Sequence, residues 1–284
     1  VFKGPCRSDD GCLYLLVVID EFSGYVVIEG MKKKSEVKYH LKTMVLRLEK
    51  KVGDGVASFR CDGGGENINN EFVAWCEQRG AVIEKTVPYS PNQNGKAERV
   101  GGVVLEGEAS LRYGGNLPDD QWLRCSRAFV HMRNRMPSKS CLHPNRTPYE
   151  VWEDVDLKPL DLIGHFRIIG SLAYRLRNRK KHAGRPKRSQ RCMFLGYLEG
   201  QKGYLARRLS DGKLMTATHS QLVFKEDILV YSQSPDYDSW LRKSIKRRDR
   251  NIPRTTHHEE NKGESESESS SGERELAESE GVDG

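Results

Sequence analysis

Two carboxylates stand out for the residues around them, Asp62 and Glu98. Asp62 ends a short strand-like run and opens into glycines in Arg60-Cys61-Asp62-Gly63-Gly64-Gly65-Glu66, so its carboxylate is uncrowded. Glu98 lies in Asn94-Gly95-Lys96-Ala97-Glu98-Arg99, where a helix should begin at Lys96. An acid in a first helical turn is favoured by the helix dipole. Thirty-five residues separate the two. Carboxylates brought together by a fold repel each other unless a cation sits between them. Hard oxygen donors on strand and helix ends suit Mg²⁺ (or Mn²⁺). Two such ions can activate a water or hydroxyl and stabilise the leaving oxygen of a phosphodiester. Taken alone, one Asp and one Glu at some spacing mean little and read as solvated surface acids.

The elements around them read as an α/β layer. Leu13 to Asp20 and Tyr25 to Glu29 form a hairpin pattern across Glu21-Phe22-Ser23-Gly24. Ser35 is the expected N-cap of a helix with an apolar stripe at Val37, Leu41, Met44, Val45 and Leu48, ending at Gly53 and Gly55. Ser58 to Cys61 is a short strand, Asn69 to Arg79 a helix and Ala81 to Glu84 another strand. Pro88 to Gly95 is a loop by composition. After Pro118 the positions Trp122, Cys125, Phe129, Met132 and Met136 mark an amphipathic helix. This order predicts an α/β layer structure with a mixed sheet and flanking helices over 1–155. Four short strands, Arg191–Tyr197, Gly203–Leu209, Lys213–Thr218 and Gln221–Lys225, predict a small antiparallel β module over 160–230. A basic, then acidic, tail over 238–284 should be disordered.

The net charge of +7 hides an asymmetry. From Glu259 to Gly284 ten acids face two bases, a net of −8, which leaves +15 on the rest. Such a body attracts polyanions, nucleic acid first among them. The run Arg175 to Arg191 (RLRNRKKHAGRPKRSQR) could bind phosphates without sequence preference, or be a solvated loop. Lys243 to Arg250 could serve as a nuclear address or a polyanion contact. Seven cysteines, none spaced as CxxC, argue against zinc and disulfides and for reduced thiols in an intracellular protein. The apolar stretch Cys12 to Ile19 is far short of the roughly 20 residues of a membrane span. The chain begins at Val1, which suggests a piece of a longer polyprotein or an incomplete gene model.

Arg60, Asp62, Gly64, Gly65 and Glu66, followed by Pro88, Tyr89, Pro91, Gln93, Asn94, Gly95, Glu98 and Arg99, resemble the core of copia-type retrotransposon integrases. Gly4-Pro5, Asp20-Glu21-Phe22-Ser23-Gly24-Tyr25, Lys34-Ser35-Glu36-Val37, Asn134-Arg135-Met136-Pro137, Thr147-Pro148-Tyr149-Glu150 and Phe194-Leu195-Gly196-Tyr197 extend the resemblance to about residue 228. It implies a ribonuclease-H-like fold with a mixed five-stranded sheet and flanking helices, and a polynucleotidyl transferase that processes and joins DNA ends. It also implies Asp62 and Glu98 as catalytic metal ligands, and Gln93, Asn94, Lys96 and Arg99 as DNA contacts. A homo-oligomer in the active form is implied too, in the nucleus or a cytoplasmic element particle.

The family's first catalytic Asp should fall just before Gly4-Pro5, outside this chain. Asp20 ends a strand antiparallel to the one it would need, on the order of 15 Å away, and reads as a turn acid. Asp9 and Asp10 lie in a loop. Gly101, Gly102 and Gly107 interrupt the helix under Glu98, each costing about 1 kcal/mol relative to Ala, which suggests a decaying copy or a relaxed constraint. The family's zinc-binding module is absent from these residues. Three readings follow: an impaired integrase, a non-catalytic nucleic-acid-binding derivative, and a generic ribonuclease.

Overall fold

The computed structural model describes residues 1–61, 70–85, 91–176 and 189–231. Its first layer begins with β1 (Phe2–Lys3), β2 (Tyr14–Ile19) and β3 (Val26–Met31), an antiparallel sheet in the order β1-β2-β3. The hairpin register runs from Tyr14↔Met31 to Ile19↔Val26. The continuous apolar run of β2 is explained by burial on both faces. Leu15, with Val26 and Ile28 of β3, faces a cluster containing Val100, Val104, Trp122 and Leu123. Leu16 and Met31 face Val37 and Met44 of helix α1 (Val37–Val52). Among the described residues, β4 (Ser58–Cys61) and β5 (Val82–Lys85) form a separate parallel pair, joined through α2 (Asn70–Glu77). All five strands of the expected α/β core are thus present, hydrogen-bonded as three and two.

Local chemistry sets the helix ends. α1 is entered through Glu36, not Ser35: the Glu36 carboxylate accepts the backbone N–H groups of Lys32 (2.9 Å) and Lys33 (3.2 Å). Gly53 closes α1 at φ 82°, donating its N–H to Glu49. Helix α5 (Pro148–Glu153) starts with a reciprocal cap, Thr147 with Glu150, and Pro148 in its first turn. That accounts physically for the Thr-Pro-Tyr-Glu run.

Helix α3 (Pro91–Gly114) is continuous over 24 residues and runs through all three glycines. Interruption of this helix was expected, and the structure corrects it. A Cβ at Gly101 would stand inside the ring of Phe2, and one at Gly107 inside the ring of Phe129. These two glycines are where β1 and α4 (Trp122–Asn134) press against α3. Close packing offsets their poor helix propensity. Gly102 has nothing within 4 Å of such a Cβ, and nothing in the structure explains it.

After α6 (Pro159–Ile163), the C-terminal strands form one antiparallel sheet in the order β10-β6-β7-β8-β9. They are β6 (Ser171–Leu176), β7 (Ser189–Tyr197), β8 (Tyr204–Arg208), β9 (Leu214–Ala217) and β10 (Leu222–Leu229). Sequence patterning missed β6, because its last residues Arg175 and Leu176 merge into the basic run. α4 lies between the two layers. Its Trp122, Leu123 and Val130 join the N-terminal core, while Cys125 and Ala128 join the core of the C-terminal sheet with Cys192 and Phe194.

Candidate active site

Strand β4 ends at Cys61, so the backbone leads directly to Asp62, which lies outside the described residues. Beside that strand end, the turn between β2 and β3 offers Glu21 as a shared partner. The Arg60 guanidinium donates to Glu21 Oε1 at 2.6 Å and to Glu84 Oε2 of β5 at 2.7 and 3.0 Å. Lys96 of α3 donates its ammonium to the Glu21 carbonyl oxygen at 2.7 Å. Glu21 therefore connects β4, two residues before Asp62, with α3, two residues before Glu98. The Glu84 and Glu21 carboxylates raise the Arg60 pKa above its ordinary value. Exposed ion pairs of this kind are screened by solvent and add little, so they orient the elements more than they hold them.

The other candidates take separate positions. Glu98 and Arg99 are exposed on α3, and Lys96 is half-buried. Gln93 and Asn94 lie in the first turn of α3, and their side chains fall outside the described residues. Most of the basic run, residues 177–188, falls outside them too, as does everything after Tyr231. Because α3 begins at Pro91, Glu98 sits in its third turn, not its first. The helix dipole acts mainly within the first turn, so it does not favour the Glu98 charge as expected. Part of the expected loop, Pro91 to Gly95, is helical.

The acids near the N-terminus are structurally committed. Asp20 Oδ2 accepts the Ser23 N–H at 2.7 Å and the Ser23 hydroxyl at 2.6 Å, an Asp-headed turn that closes the hairpin. Asp9 Oδ2 accepts from Arg124 of α4 at 2.9 Å and from Arg207 of β8 at 2.6 Å, joining the β1–β2 loop to both layers. Burial raises the Asp10 pKa, but the Ser8 hydrogen bond, Arg124 and Arg127 outweigh it and hold the carboxyl below its ordinary value.

Among the described residues, no group of three or more His, Cys, Asp or Glu side chains is arranged to hold a metal. The chemistry of the donors still suits a hard cation: Glu98 presents an oxygen donor at the surface of α3. No helix of the described residues is long and apolar enough to cross a membrane.

Residues 1–91 match the family model described as integrase core domain. The chain is 27% identical over 203 residues to the retrovirus-related Pol polyprotein from transposon TNT 1-94 of Nicotiana tabacum, covering 71% of this chain. It is 28% identical over 239 residues to that from transposon RE1 of Arabidopsis thaliana, covering 82%. It spans 15% of the length of each of these relatives. Among solved structures, a simian T-cell lymphotropic virus intasome in complex with PP2A regulatory subunit B56 gamma aligns at 19% identity and a TM-score of 0.42. That alignment covers 77% of this chain and 74% of that one.

Proposed function

We propose, from an integrase core over residues 1–91 and likeness to retrotransposon Pol polyproteins beyond it, that this chain is the integrase region of such a polyprotein. Its activity is metal-dependent DNA end processing and strand transfer. The observation that carries this reading is that the likeness to the plant Pol polyproteins covers 82% of the chain in RE1, far past the core. A generic ribonuclease would share the core and not the β module. Asp62 and Glu98 are the proposed metal ligands. A bound Mg²⁺ or Mn²⁺ would polarise the scissile phosphate and activate the attacking oxygen, first of water and then of a DNA 3′-hydroxyl. Gln93, Asn94, Lys96 and Arg99, on the same helix as Glu98, would hold the DNA strand, with Lys96 kept in place by Glu21.

The proposed boundary between catalytic core and β module lies at residues 155–160, with α4 serving both. The proposed active form is a homo-oligomer on DNA, in the nucleus or an element particle. A second reading, a non-catalytic nucleic-acid-binding derivative, draws support from Asp9 and Asp20, whose carboxylates are taken up by ion pairs and a turn. A strand-transfer assay with Mg²⁺ or Mn²⁺ separates the two. It compares this chain, and one extended upstream of Gly4, with their Asp62→Asn and Glu98→Gln variants. Joining that needs both carboxylates supports the first reading. DNA binding without joining in any form supports the second.

A further inference from the structure

His131, His165 and His219 meet where α4 joins the C-terminal sheet, and the proposed function uses none of them. His131 is on α4, His165 precedes β6, and His219 lies in the turn before β10. The Nε2 atoms of His131 and His165 are 2.8 Å apart. A hydrogen bond at that distance needs a proton on one nitrogen and none on the other. Tyr197 of β7 stacks on the His131 ring with centroids 4.2 Å apart, and Phe166 meets both rings at steep angles. Tyr204 of β8 donates its hydroxyl to the His165 carbonyl oxygen at 2.8 Å and lies 3.1 Å from His219 Nδ1.

The charges facing this cluster are mainly cationic. They are Arg135 on α4, Arg167 before β6 and Lys202 in the β7–β8 turn. Glu226 of β10 acts on Tyr197 and Tyr204, and its carboxylate accepts the Ile168 N–H at 2.7 Å.

We propose that the His131–His165 pair is an acid-sensitive latch, whose protonation parts α4 from the C-terminal sheet. A first added proton enters a desolvated site flanked by the cations Arg135 and Arg167. A second sets two N–H groups against each other across 2.8 Å, which the pair relieves only by separating. Desolvation, aided by Arg135, lowers His131 to about 2 and His165 to about 4. Both lie below the ordinary histidine value of about 6.5, so the opened junction binds more protons than the closed one. The latch is therefore fully set above about pH 6.5 and weakens progressively as pH falls toward the His165 value.

Buried thiols report on this directly. Cys125 of α4 and Cys192 of β7 are fully buried in the shared core, whereas Cys76 is buried in the separate α2 cluster. The full chain is labelled with 4,4′-dithiodipyridine, which reacts in acid, at several pH values, and the sites are located by peptide mass spectrometry. Labelling of Cys125 and Cys192 should rise by at least about tenfold between pH 7 and pH 5, with Cys76 unchanged. The double variant His131→Gln, His165→Gln should flatten that rise. Should its amides weaken the fold, Arg135→Gln leaves both rings in place, eases the charge crowding and should move opening to lower pH. Labelling of Cys76 in step with Cys125, no rise at all, or a rise indifferent to Arg135→Gln would each overturn the latch.

Discussion

The side chain of Asn134 makes a two-point hydrogen bond to the backbone of Val26. Its Nδ2 donates to the Val26 carbonyl oxygen at 2.8 Å, and its Oδ1 accepts the Val26 N–H at 3.0 Å. Val26 begins β3, the edge of the β1-β2-β3 sheet. The amide thus does what a neighbouring strand would do, from the last residue of α4. Asn134→Leu leaves two buried backbone groups unpaired and should cost roughly 2–4 kcal/mol. Asn134→Asp keeps the acceptor but cannot donate when ionised, so it should also destabilise. Urea denaturation midpoints at constant m-value would show both; an unshifted midpoint in the Asp variant would mean the Val26 carbonyl contact is unimportant.

The glycines of α3 give opposite predictions for neighbouring positions. Helix propensity alone predicts that Gly→Ala stabilises by up to about 1 kcal/mol at each. That should hold for Gly102, which has open space around it. Gly101→Ala and Gly107→Ala should instead destabilise, because the new methyl collides with Phe2 and Phe129. Three denaturation curves test this; stabilisation at all three sites would restore the view of α3 as merely degraded.

Asp20 should be dispensable for any metal chemistry. Asp20→Asn keeps an oxygen for Ser23 but not the charge. We expect a modest loss of hairpin stability, about 0.5–1.5 kcal/mol, and unchanged Mn²⁺ affinity, read from the Mn²⁺ EPR signal. Glu98→Gln should weaken Mn²⁺ binding. Loss of Mn²⁺ binding in the Asp20 variant would instead make Asp20 a metal ligand.

DNA affinity should depend steeply on salt. A body carrying +15 that makes about six phosphate contacts loses roughly 1,000-fold between 50 and 200 mM salt. Deleting Glu259 to Gly284 removes a net −8 that competes for the basic surface and should tighten binding. Fluorescence anisotropy with an arbitrary duplex measures both effects. A flat salt profile, or no gain on deletion, counts against an electrostatic DNA interface.

Much was legible in the chain itself. Apolar periodicity marks the β2–β3 hairpin, α1 and α4, because these elements bury whole faces and burial leaves a period in sequence. Motif spacing singles out Asp62 and Glu98, and the Asp20 turn follows from local side-chain chemistry. Tertiary structure decided what depends on residues far apart. No local pattern reveals that Gly101 and Gly107 admit aromatic rings from β1 and α4, since propensity counts only the helix. Nor does it reveal that Asn134 closes the edge of β3, or that Glu21 ties Arg60 to Lys96. β6 escaped notice because its charged end resembles the basic loop that follows it. Its pairing with β7, the next strand, and with β10, distant in sequence, is what makes it a strand.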